Sequence, residues 1–176
     1  YAGKIFVVDS HSIALGSSIL VQYALTLAEE GRSAEEIAWK LMQKREKIRL
    51  IAMLDTLEYL KKGGRCSALA VLGANMLKLR PEIVMENGTL HVGKMYRGSM
   101  EKSILDYVRG RLTQADEVSC DRIFVTHSGV SGEIVEKVIA LVKELRPFEE
   151  VIETVAGSTI SCHCGPNCLG VLFFRK

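Results

Sequence analysis

Pro81-Glu82-Ile83-Val84-Met85-Glu86-Asn87-Gly88-Thr89-Leu90-His91-Val92-Gly93-Lys94-Met95-Tyr96 reads as two β-strands closed by a tight turn. Asn-Gly tolerates the positive φ angles of a two-residue hairpin turn, and the runs on either side are rich in apolar and β-branched residues. The hairpin puts antiparallel strands in the middle of the chain. Downstream, Ser99 opens a helix through about Thr113, Arg122–His127 is a strand, and Ser131–Leu145 is a long amphipathic helix. Val151–Val155 is a further strand, followed by a Gly/Cys-rich loop and a last strand, Leu169–Phe174. This half is mixed α/β and antiparallel in part.

Upstream of the hairpin the pattern changes. Lys4–Val8 is a short apolar run of the kind that makes a buried strand, and it leads into a Ser-rich turn with Ser10, Ser12, Gly16, Ser17 and Ser18. Helical spacing runs from Ile19 to Glu30 and stops at Gly31, a good C-cap residue. Ser33 with Glu36 forms a capping box for a second helix through about Lys47. Arg49–Leu54 is the next strand, Thr56–Lys62 a short helix stopped by Gly63-Gly64, and Ser67 caps an apolar helix, Ala68–Leu77. The expected fold class is α/β in two α/β domains. Residues 1–48 form a partial first domain with a parallel, helix-covered sheet, and residues 49–176 a second with a mixed or antiparallel sheet and helices.

Bulk properties exclude several functions. The chain has 176 residues, 48% apolar and 25% charged, and its net charge of +2 comes from interspersed cations and anions. That balance leaves no electrostatic footprint for nucleic acid. No stretch approaches the ~20 apolar residues of a membrane span, and Tyr1-Ala2-Gly3-Lys4 does not begin a signal peptide. The five cysteines are an odd number and fit reduced thiols in the cytoplasm. The chain starts without Met and almost directly on a strand, as a fragment or processed product does.

Two loops carry candidate chemistry. In the Ser-rich turn, hydroxyls and free backbone N–H groups stand near a helix N-terminus, which suits a carboxylate or phosphate; alternatively the serines simply cap helices. In Gly157–Pro166, His163 occupies a tight loop between strands, where it can donate to an oxygen. Cys162, His163, Cys164 and Cys168 are donor types that suit zinc, but only Cys66 or Cys120 offers a distant partner, so structural thiols are the competing reading. Arg65 after Gly63-Gly64, and Arg97 before Gly98, suit either an anion clamp or a hydrogen bond to chain carbonyls. Phosphate-loop, dinucleotide and nucleophile-elbow signatures are missing.

Taken in order, Val8-Asp9-Ser10 with Gly16, the run Leu57-Glu58-Tyr59-Leu60-Lys61-Lys62-Gly63-Gly64-Arg65, Leu79-Arg80-Pro81 with Asn87-Gly88, Tyr96-Arg97-Gly98, and Ser161-Cys162-His163-Cys164-Gly165-Pro166 resemble the DegV family along essentially the whole chain. The resemblance implies two α/β domains enclosing a long-chain fatty acid in an apolar tunnel, with no cofactor. It places the carboxylate on hydroxyls and a histidine, here Ser10, Ser12, Ser17 and His163, with Arg65, Arg97 and Gly165 supporting or facing a partner. It also implies that the lipid is presented to a separate ATP-binding fatty acid kinase subunit, which makes an acyl phosphate for phospholipid synthesis. The family's N-terminal segment is absent, and this chain has Ala14 and Ser18 where the family often has a hydroxyl residue and Gly. A stand-alone acyl-processing enzyme using Ser10 or Ser12 with His163, and a zinc-binding interaction module, are the alternatives.

Overall fold

The computed structural model describes residues 3–65, 79–86, 88–113 and 118–176, so the expected helix at Ala68–Leu77 lies outside the described residues. Two helices open the chain, α1 (Leu15–Glu29) and α2 (Ala34–Lys44), and a short 3₁₀ turn, Arg45–Lys47, follows them. Both helix boundaries follow local chemistry. Gly31 adopts φ 77°, while the N–H groups of Gly31 and Arg32 donate back to the Ala28 and Leu27 carbonyls at 2.9 and 3.1 Å. The Ser33 hydroxyl accepts from the Glu36 N–H, and the Glu36 carboxylate accepts from the Ser33 N–H, closing the capping box.

Six strands follow: β1 (Ile48–Met53), β2 (Leu79–Glu86), β3 (Thr89–Arg97), β4 (Val118–Ser128), β5 (Glu150–Val155) and β6 (Cys168–Arg175). Between them lie α3 (Glu58–Lys62), α4 (Met100–Thr113), α5 (Gly132–Leu145) and α6 (Ser158–Cys164). The strands form one mixed sheet in the order β3-β2-β1-β6-β4-β5. Every pairing is antiparallel except β4 with β5, which α5 joins as a parallel crossover unit. The hairpin, the strand–helix–strand order from β4 to β5 and the α/β class agree with the sequence pattern.

Strand alternation gives the sheet two unlike faces. Ile51, Met53, Ile123, Val125, Leu169, Val171 and Phe173 meet Ile104, Val108, Leu112, Val135 and Val142 of α4 and α5 in the largest apolar cluster. Each such side chain contributes roughly 1.5–3 kcal/mol on burial. Tyr107 of α4, fully buried, fixes this layer to the two central strands. Its hydroxyl donates to the Ile51 carbonyl at 2.5 Å and accepts the Val171 N–H at 3.1 Å. On the other face α1 places Ile19 and Leu20 over Leu50, Phe124, Leu172 and Phe174.

Three expectations need correction. Lys4–Val8 is not a strand: nothing pairs with it among the described residues, and Ile5 and Val7 are exposed. Apolar β-branched residues make a strand only where a neighbour completes the ladder. For the same reason the expected parallel sheet of the first part is not found there; residues 3–47 contribute helices and no strand among the described residues. The Gly/Cys-rich loop is in fact α6. Its residues are middling helix formers, but Gly157 and Gly165 bound the turn, and backbone bonds from Ser161 to Gly157 and from Gly165 to Ser161 close it.

A buried charge sits near the β2–β3 edge. The Glu82 carboxylate is inaccessible to solvent and forms an ion pair with the Arg111 guanidinium of α4. It also accepts from the Lys94 N–H at 3.3 Å and the Tyr96 hydroxyl at 3.4 Å. Replacing Arg111 with Met leaves the carboxylate buried without its counter-charge and is expected to cost about 3 kcal/mol. Urea denaturation would show this as a lower midpoint with an unchanged slope.

Burial pushes the Tyr96 phenol up to about 12, assisted by the Glu82 carboxylate, and burial raises Tyr107 well above its ordinary value. Both folded-state values lie above the unfolded one, so their contribution to stability is whole below a pH of about 10 and is lost as pH rises further. Urea midpoints measured from neutral pH upward are therefore expected to drop from pH ~10, and Tyr96→Phe should flatten part of the drop.

Candidate functional site

A cavity of about 400 Å³ lies over the second sheet face. Its floor is a row of residues in register across four strands, Ile83, Ala52, Gly170 and Thr126. Ala52, Gly170 and Thr126 are small. One step along the strands the row Met85, Leu50, Leu172, Phe124 and Ile152 is large, and there α1 packs down on the sheet. The change from large to small residues opens space beside α1. The remaining walls come from Ile13 and Ala14 before α1, from Leu54, Leu60 and Leu90, and from Thr159, Ile160 and His163 of α6. The lining is mostly aliphatic, the character of a site for an apolar ligand.

His163 reaches this wall because α3 and α6 approach closely. A Cβ on Gly63, at the end of α3, would lie 2.3 Å from His163 Nδ1, and one on Gly165 would lie 2.3 Å from the Tyr59 ring. The glycines of the Gly-Gly-Arg and His-x-Gly-Pro segments thus admit a side chain from each other's motif. Nδ1 of His163 is buried against Gly63 and has no hydrogen-bond partner among the described residues. The α6–β6 turn is tied down as well: Asn167 donates to Asp55 at 3.4 Å, and Asp55 pairs with Arg80 of β2 at 3.2 Å. Arg65 lines the cavity, and its guanidinium donates to the Gly63 carbonyl at 2.6 Å.

The three candidate serines stand elsewhere. Ser10 Oγ lies 3.0 Å from Ser17 Oγ and donates to the Ser12 carbonyl at 3.1 Å. The Ser12 hydroxyl is buried without a partner among the described residues, and Ser12 lines a second, polar cavity with His11, Arg45 and Glu46. The two cavities share Met85, and the loop continues from Ser12 into Ile13 and Ala14 of the apolar one. So the structure brings His163 and Arg65 together on one cavity and Ser10, Ser12 and Ser17 together beside it. Arg97 is exposed at the end of β3, on a separate surface groove with Lys94 and Arg109.

This placement bears on the alternatives. A seryl nucleophile requires its base within hydrogen-bond reach, yet no hydrogen bond joins His163 to Ser10 or Ser12 among the described residues, where Ser10 engages Ser12 and Ser17 instead. Among the described residues no group of three or more His, Cys, Asp or Glu converges as a metal cage. Cys162 faces solvent, whereas Cys164 and Cys168 are buried with Leu54, Leu60 and Ile83; Cys66 lies outside the described residues. Ala52, Gly170 and Thr126 carry no mark in the sequence. Only the strand register puts them in one row, and that register is a tertiary fact.

Fold and cavity together define a mixed-sheet α/β protein with an apolar chamber floored by its own sheet. The model of the DegV family, described as a family of uncharacterised proteins, matches residues 1–176, and the chain belongs to that family. A DegV domain-containing protein of Caldanaerobacter subterraneus is 33% identical over 175 residues, covering 98% of this chain and 61% of that protein. A fatty-acid-binding DegV family protein of Thermus thermophilus superposes with a TM-score of 0.80 at 27% identity, covering 99% of this chain and 62% of that one. The fatty acid kinase B3 protein of Streptococcus pneumoniae, solved with linoleic acid, has the same fold, with a TM-score of 0.85 at 22% identity over 98% of this chain and 60% of that one. The chain therefore spans about 61% of the length of such relatives.

Gly165 adopts φ 75° and ψ −175°, a region open essentially to glycine alone. Gly165→Ala is expected to cost at least ~2 kcal/mol, since backbone strain adds to the clash with Tyr59. A thermal unfolding scan would show the loss, and an unchanged midpoint would refute the close packing of α3 on α6.

Proposed function

We propose that this chain binds a long-chain fatty acid in the sheet-floored cavity and presents the carboxylate to a separate ATP-binding kinase subunit. The observation that carries the reading is the aliphatic chamber of about 400 Å³ with His163 in its wall. An acyl tail gains ~0.8 kcal/mol for each CH₂ buried, so the chamber supplies affinity and a few polar groups set orientation. The Nδ1 edge of His163 packs on Gly63, which leaves Nε2 as the ring atom for a carboxylate oxygen.

Ser10, Ser12 and Ser17 complete the head-group end in this reading. They surround the first turn of α1, where the helix dipole favours an anion, and the loop that bears them also walls the chamber. Arg65 and Gly165 support His163, and Arg97 faces the partner. The fatty acid seen in the Streptococcus pneumoniae protein and the fatty-acid binding of the Thermus thermophilus protein support the ligand class. The kinase partner, a cytoplasmic location and a role in phospholipid synthesis rest on the Streptococcus pneumoniae protein's name and on fold-level analogy. Residues 1–48 we assign to the remainder of a first domain and 49–176 to a second.

The test is extraction of the purified protein into organic solvent and identification of bound lipid by mass spectrometry. One long-chain fatty acid per chain is expected. Ala52→Leu, which raises the chamber floor, should abolish it at a stability cost of no more than about 1–3 kcal/mol. No lipid even after incubation with fatty acids would overturn the proposal.

A further inference from the structure

We infer that Cys164 and Cys168 form a dithiol in the chamber wall that peroxide oxidises to a disulfide, and that a bound fatty acid blocks this oxidation. Cys164 ends α6 and Cys168 begins β6. The turn between them passes through Gly165 at φ 75° and Asn167 at φ 57°, which doubles the chain back. Both side chains consequently enter the same cluster, with Leu54, Leu60 and Ile83, and both line the chamber. They are 8% and 7% exposed, so a small uncharged oxidant reaches them by way of the chamber rather than the outer surface. Cys162, on the outer side of α6, is exposed and serves as an internal control.

The two thiols are unequal. The Cys164 S–H faces the Gly165 carbonyl at 3.7 Å, and interaction with the neighbouring Cys168 thiol holds Cys164 below its ordinary range. The same interaction, with burial, pushes Cys168 well up. Cys164 is therefore the attacking sulfur. Its thiolate displaces hydroxide from hydrogen peroxide as the O–O bond breaks, giving a sulfenic acid. The Cys168 sulfur then attacks that sulfur, the S–O bond breaks, and the leaving hydroxide carries off the Cys168 proton as water. In sum, two thiols and one peroxide give one disulfide and two waters.

Ligand control of this step rests on the carrier reading, because the tail must lie against the chamber wall. The experiment uses the full chain carrying C66S, freed of lipid or loaded with palmitic acid at about 100 Kd, where roughly one molecule in a hundred is empty. After timed exposure to hydrogen peroxide and alkylation of the remaining thiols, digestion and mass spectrometry locate the disulfide. A Cys164–Cys168 cross-link is expected in the empty protein, forming about a hundredfold more slowly in the loaded one. C164S and C168S should each abolish it. Oxidation confined to Cys162, with Cys164 and Cys168 still alkylated, would overturn the inference. So would equal rates in empty and loaded protein, leaving the carrier reading intact. Fatty-acid uptake is measured in the same samples, and its absence would overturn the carrier reading itself and with it the ligand control.

Discussion

The row Ala52–Gly170–Thr126 is the constraint on which the rest of the structure depends. These residues face one another across β1, β6 and β4, at the centre of the sheet. A Cβ on Gly170 would approach the Ile51 carbonyl oxygen at 3.2 Å and the Ala52 and Thr126 side chains at 3.4 Å, so the row is small because its members are already in contact. Protein interiors close up wherever they can. This space stays open because the sheet beneath it cannot rise. Its other face is committed to α4 and α5, and Tyr107 holds the central β1–β6 pair to that layer. Packing on one face is therefore what permits a void on the other.

The roof obeys a second steric rule. α3 and α6 are single short helices that would be marginal alone, and each supplies the room its neighbour needs: Gly63 takes the His163 ring, and Gly165 takes Tyr59. Segments more than ninety positions apart in the sequence are thereby one mechanical unit. This explains why the Leu-Glu-Tyr-Leu-Lys-Lys-Gly-Gly-Arg run and the His-x-Gly-Pro segment carry the family resemblance together. Neither glycine placement makes sense without the other motif's ring.

How far the sequence spoke depended on the range of the interaction. Capping at Ser33 and Glu36, the stop at Gly31, the hairpin around Gly88 and the long helix after Ser131 are set by contacts within a few residues, and they were legible. Lys4–Val8 has the composition of a strand but no partner among the described residues, and composition does not show whether a ladder exists. α6 was hidden for the opposite reason: Ser, Thr, Cys and His are indifferent helix formers, and packing against α3 decides the matter. At the candidate site, the sequence marks His163 and Arg65 by their neighbouring glycines, and the structure puts both on the apolar cavity. The floor of the chamber was not legible, because alanine, threonine and glycine announce nothing until register aligns them.

The two ends of the proposed ligand would meet very different surroundings. Its tail would lie on the sheet, among side chains fixed by neighbouring strands. Its head would face a loop in which His11 and Ala14 hold φ angles of 50° and 49°, values that non-glycine residues seldom adopt. Such strain persists only where the surroundings enforce it. Here the enforcement comes from downstream: α1 is anchored through Ile19 and Leu20, and Tyr23 meets Phe174 edge-on while Lys44 lies over that ring. Arg45 reaches back to the Asp9 carbonyl at 2.8 Å. A well-anchored helix thus holds a strained, serine-rich loop against the mouth of a rigid chamber. That arrangement would hold the proposed ligand's polar end against a fixed loop while the chamber selects the apolar end by shape.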